Sequence, residues 1–120
     1  MKRIIVIILV FVLFVSCSKE DDMIYKTKEI TINLSSNLSY QYYLGRFIEE
    51  GDEVEITTQA LHFEISEYYQ NENNGNISYK YKPQLDYEGD DYVEILSERT
   101  IDVEKGQKEF VTLKLSFKIL

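Results

Sequence analysis

One cysteine, one histidine, ten tyrosines and 21 carboxylates are the side chains of this 120-residue chain that could do chemistry. Cys17 stands alone, so no internal disulfide can form, and its thiol is free for another use. His62 has neither a second histidine nor a cysteine with which to build a metal site or an activated nucleophile. The paired carboxylates Glu49 and Glu50, and Asp90 and Asp91, sit among other charges with no apolar stretch beside them to raise a pKa for acid and base work. Asp86, Glu88, Asp90 and Asp91 fall in one loop, and calcium takes six to eight oxygen ligands, but the spacing matches no EF-hand loop. Neither a catalytic constellation nor a metal or other cofactor is expected. The tyrosines remain. Tyr40 and Tyr42 should face inward, Tyr43 outward, and Tyr68 and Tyr69 should place one ring on each face, so Tyr43 and Tyr69 are the aromatics placed to meet a ligand.

What positions these residues begins with the segment before them. Lys2 and Arg3 precede twelve unbroken apolar residues, Ile4 to Val15, and then Ser16 and Cys17. A charged start, a short apolar run and a small residue make a secretory signal. Crossing a bilayer as a helix takes about 20 apolar residues, more than this run supplies. Phe14-Val15-Ser16-Cys17 resembles the lipobox of bacterial lipoproteins, with Phe14 where Leu is usual. The resemblance implies cleavage after residue 16 and a lipid on Cys17, the only covalent attachment expected. Two or more acyl chains, at about 0.8 kcal/mol per buried methylene, anchor a protein stably.

Ser18, Lys19, Glu20, Asp21 and Asp22 are too polar to fold by themselves and read as a leash. They also resemble the acidic export signal of Gram-negative surface lipoproteins, which implies an outer-membrane protein exposed at the cell surface. The division is thus a signal peptide over 1–16, an acidic tether over 17–23 and one domain over 24–120. Without residues 1–16 the chain carries 11 Lys and Arg against 21 Asp and Glu, a net charge of −10. Nucleic-acid binding draws its affinity from basic residues that neutralise phosphates, and this balance excludes it. Anionic headgroups repel the domain as well, so the membrane is met only through the lipid.

The mature region alternates with period two. Ile30, Ile32 and Leu34; Leu38, Tyr40, Tyr42 and Leu44; Val54, Ile56 and Thr58; Leu61, Phe63 and Ile65; Ile77, Tyr79 and Tyr81; Val93 and Ile95; and Val111 to Ile119 form seven inward sets, with His62 on a solvent face. Asn74-Gly75 and other turn signals separate them, and Leu96, out of phase, suggests a bulge or a strand covered on both sides. Seven short strands with no helical period predict an antiparallel, immunoglobulin-like β-sandwich.

From Gly75 to Ile95 the chain resembles bacterial immunoglobulin-like or cadherin-like surface repeats. Tyr81, Pro83, Tyr87, Gly89 and Asp91 keep the family's register, while Val93 and Ile95 stand where Phe and Tyr are usual. The residues have a physical reading of their own: Tyr87 plugs the sandwich end, Gly89 permits a tight turn and Asp91 caps exposed amides. The expected function is a non-catalytic binding or structural module that contacts a protein partner. The alternative is a glycan-binding accessory of an outer-membrane uptake system, which requires an aromatic platform on one face.

Overall fold

The computed structural model describes residues 23–120, which form seven strands and no helix. They are β1 (Met23–Leu34), β2 (Tyr40–Arg46), β3 (Glu53–Thr58), β4 (Phe63–Gln70), β5 (Asn76–Pro83), β6 (Gly89–Asp102) and β7 (Gln107–Ile119). Two sheets, ordered β1-β7-β6-β3 and β2-β5-β4, pack as a sandwich. This is the immunoglobulin order with its first strand carried by the larger sheet. β1 runs parallel to β7, from Met23 opposite Lys108 to Leu34 opposite Ile119, and every other pair is antiparallel. The long apolar β7 therefore lies between β1 and β6 and presents no open edge.

Alternation produces the core. Val93, Ile95, Leu113, Leu115, Phe117 and Ile119 of the larger sheet meet an inner face of the smaller sheet that is floored with tyrosine. Register sets Tyr42, Tyr79 and Tyr68 in one inner row, and Tyr40, Tyr81 and Ser66 in the next. Tyr81 stacks on Phe117 with centroids 4.0 Å apart, and Tyr40 meets the same ring edge-on at 5.7 Å. Fully burying one such large side chain contributes roughly 1.5–3 kcal/mol. The hydroxyls that this burial strands find partners at the sheet margin. Tyr79 bonds Ser66, and the carboxylate of Asp91 accepts from Tyr81 at 2.7 Å.

Several expectations need correction or refinement. Alternation assigns Leu38 and Leu61 to the core, yet both lie exposed in turns, because β2 starts only at Tyr40 and β4 only at Phe63. A bulge between Phe63 and Ile65 then shifts the phase of β4, so that Ser66 points inward. His62 is on no strand; it sits half-buried in the turn before β4 and stacks on Tyr87 at 4.3 Å. Tyr68 and Tyr69 point to opposite faces but both remain exposed, since the inner position of Tyr68 lies at the sandwich margin. Leu96 keeps unbroken register with Thr112 and Glu55 on the outer face, half-buried there.

Candidate functional site

The sandwich offers two arrangements that no single stretch of sequence contains. The first is at the pole formed by the β1–β2 turn (35–39), the β3–β4 turn (59–62) and the β5–β6 turn (84–88). Asp91, near the start of β6, is buried there. Its Oδ1 accepts from the amides of Leu61 and Tyr92, both at 2.9 Å, and its Oδ2 from the His62 amide at 3.0 Å and the Tyr81 hydroxyl. Four donors satisfy the carboxylate, so its burial is tolerated without a counter-cation. Asp91 thus caps the amide of its neighbour Tyr92, as its turn position suggests, and also two amides of a turn about 30 residues earlier.

Tyr87 closes the same pole. Its ring covers His62, its hydroxyl donates to the Asp90 carbonyl at 2.7 Å, and its carbonyl accepts from Ser36 Oγ. Gly89 follows with φ +139°, and a Cβ there would stand 2.8 Å from the Tyr87 hydroxyl. Burial and the neighbouring Asp91 carboxylate push the Tyr81 hydroxyl far above the ordinary phenol range, and it stays a proton donor. Burial likewise raises Tyr79 to about 12, partly opposed by the Ser66 hydrogen bond. Neither group is poised for proton transfer near neutral pH.

The second arrangement is on the outer face of the smaller sheet. Tyr43 on β2 and Tyr69 on β4 both pair with Ser78 on the central strand β5. Two outward tyrosines, 59% and 46% exposed, therefore flank one small residue in a single row. Strands lie about 4.8 Å apart, so the two attachment points are about 10 Å from each other across a slot with a serine floor. Tyr43 is steadied by a hydrogen bond from its hydroxyl to Asn76 Oδ1 at 3.0 Å. Gln41, Lys80 and Glu67 make the next outward row. On the outer face of the larger sheet Tyr25 stacks on Phe110 at 5.1 Å and itself stays exposed.

The remaining sequence-derived residues are not drawn together. Asp86, Glu88, Asp90 and Asp91 do not converge: Asp91 turns into the protein, and Asp86 accepts from Asn37 Nδ2 at 3.0 Å. Among the described residues no group of three or more His, Cys, Asp or Glu side chains is arranged to hold a metal ion, and no helix is long and apolar enough to cross a membrane. Cys17, Ser18, Lys19, Glu20, Asp21 and Asp22, with the signal peptide over 1–16, lie outside the described residues. Sequence reasoning misses Ser78, whose small size and outward phase are visible but whose two neighbours depend on register. It also misses Leu61 and Leu85 as surface residues; proximity to turn signals is the available clue.

No protein-family model matches the chain, and no curated protein sequence does. Among solved structures it is similar to the cysteine protease inhibitor EhICP2 from Entamoeba histolytica, with a TM-score of 0.51 at 18% identity, over 82% of this chain and 97% of that one. It is also similar to amebosin, with a TM-score of 0.50 at 11% identity, over 80% of this chain and 98% of that one. At such identities the likeness is one of fold, and it covers nearly the whole of each partner.

Proposed function

We propose that this chain is a lipoprotein anchored through Cys17 at the outer surface of a Gram-negative cell, where its sandwich serves as a non-catalytic module that binds a protein partner. The observation that carries this reading is the direction of β1. Met23 pairs with Lys108 beside the turn 103–106, so the chain enters the sandwich at one pole and leaves the three-turn pole around Asp91 at the far end. A six-residue tether from Cys17 reaches at most about 20 Å, enough to hold the entry pole near a bilayer while the other faces outward. The satisfied state of Asp91, Tyr79 and Tyr81 supports display over catalysis. The neighbours' fold supports a small binding domain; the inhibitory activity in the name of EhICP2 belongs to that protein, and an assay against a cysteine protease is a simple companion measurement.

Cell fractionation tests the anchor. Cys17→Ala is expected to move the folded domain out of the membrane fraction, and external protease is expected to digest the parent domain on sealed cells. A Cys17→Ala chain that stays with the membrane would return the apolar run to the role of an uncleaved anchor. Protection from external protease would place the domain inside the outer membrane.

A second reading, glycan binding, is favoured by the row Tyr43, Ser78 and Tyr69, because two exposed rings on either side of a small residue offer stacking faces to a saccharide. On a glycan array, reproducible binding that disappears in both Tyr43→Ala and Tyr69→Ala would establish it. Binding that survives both changes would remove the row from any such role.

A further inference from the structure

The pole around Asp91 displays leucines that the fold holds in place. Leu61 is 79% exposed, Leu85 78% and Leu38 56%, each on a different one of the three turns. Single exposed leucines are ordinary on a protein surface. These are not scattered, because their turns are bonded to one another. Asp91 accepts the amide of Leu61 itself, and the His62 carbonyl accepts from the Gln84 amide at 3.1 Å. Asn37 and Asp86 exchange two bonds, Asn37 Nδ2 to Asp86 Oδ1 at 3.0 Å and the Asp86 amide to Asn37 Oδ1 at 2.8 Å. Asn37 and Asp86 are also the two non-glycine residues with positive φ among those described, at 69° and 62°, and they immediately adjoin Leu38 and Leu85. Left-handed backbone costs an ordinary residue about 1–2 kcal/mol, and Asn and Asp bear it best. The result is a fixed arrangement of exposed apolar side chains, which lowers the ordering cost of binding.

Beside Leu61 a groove of about 460 Å³ opens along the ends of β6 and β7, lined by His62, Tyr92 and Phe117 among others, with Asp90 and Lys118 both on its wall. Asp86, Glu88 and Asp90 stand exposed around this pole, and Lys118 is the cation opposite Asp90 in the ladder. Charge selects the occupant. A second copy of the same pole would bring like charges together, and an anionic lipid surface would be repelled. We propose that this pole is a docking site for a protein segment that combines Lys or Arg with apolar side chains. The proposal deepens the protein-binding reading above; the outward placement of the pole depends on anchoring at Cys17, whereas the docking does not.

The test is fluorescence anisotropy of a labelled twelve-residue peptide of alternating Lys and Leu with the Cys17→Ala chain, so that no lipid takes part and failure of the anchor cannot be mistaken for failure of the site. The Lys/Leu peptide is expected to bind at least about tenfold tighter than an alternating Lys/Ser peptide or a Glu/Leu peptide. A chain carrying Leu61→Ser and Leu85→Ser is expected to lose about tenfold in affinity for the Lys/Leu peptide, in the range typical of anchor residues, with an unchanged thermal midpoint because both side chains are in solvent. Equal binding of the Lys/Ser peptide would reduce the effect to general charge attraction and overturn the proposal. So would equal binding by the double variant. A concentration-dependent dimer abolished by the two substitutions would assign the surface to a second copy instead, and vesicle binding abolished by them would assign it to lipid; either result overturns the proposal.

Discussion

The two poles of the sandwich are both built from three turns, and they differ in how deeply the carboxylate that ties each one is buried. At the chain-entry pole, the turns 47–52 and 71–75 are joined at backbone carbonyls, by one amide and two side-chain donors. The Phe47 amide donates to the Gly75 carbonyl at 2.9 Å, Gln70 Nε2 to the Phe47 carbonyl and Arg46 Nε to the Asn74 carbonyl. Three glycines with positive φ, Gly51, Gly75 and Gly106, make those turns possible. Asp52 links this pole to β6, accepting from Thr100 at 2.8 Å and Glu49 at 3.0 Å, but it remains partly in water. At the opposite pole a backbone bond from Gln84 to His62 is joined by a buried carboxylate and the Asn37–Asp86 pair, and the exposed residues these ties carry are leucines. Water can take the place of a half-exposed cap such as Asp52, whereas a buried carboxylate such as Asp91 concentrates the stability of its turns in one residue.

That contrast can be broken by mutation. Asp91→Ala is expected to have the largest effect, a loss of about 3 kcal/mol, because the amides of Leu61 and His62 lose their acceptor and the buried Tyr81 hydroxyl keeps only the His62 carbonyl at 3.3 Å. Denaturant unfolding reads the loss, and amide exchange should quicken at Leu61 and His62 ahead of the entry pole. Gly75→Ala should follow at about 2 kcal/mol, since φ is +75° and the added Cβ would collide with Ile48 Cγ2. Here the fast-exchanging amides should be those of Phe47 and its neighbours. Asp52→Ala should cost only about 1 kcal/mol by the same denaturation measurement, because water can replace a half-exposed cap. Should Asp52→Ala prove as costly as Asp91→Ala, the two poles would be equivalent in construction and the contrast between them would not stand.

Much of this architecture is legible in the chain's own pattern. Seven alternating runs specify the sandwich and most of its core, since period-two burial needs no knowledge of which strand is the neighbour. Gly89, Tyr87 and Asp91 announce a closed turn, because turn chemistry acts within a few residues. The outward phase of Tyr43 and Tyr69 is equally plain. Less visible is the exposure of Leu38 and Leu61, whose apolar character and spacing imitate the start of a strand; the strands begin two residues later in each case. The bulge in β4 has no local signal either, since it reflects the fit of that strand to β5.

The signal over 1–16 and the lipid on Cys17 stand as proposals, whereas composition and pattern by themselves determined an acidic chain with an all-β sandwich fold. They also showed that His62 and the carboxylates lack the sequence partners of a catalytic or metal motif. Only tertiary structure decided that Tyr43 and Tyr69 share Ser78, that Asp91 holds a turn thirty residues away, and that three leucines gather at one pole. The physical reason is the same for all three. Alternation fixes the face on which a side chain lies, whereas register and strand order fix its neighbours, and these are settled by long-range pairing that no short stretch of the chain encodes.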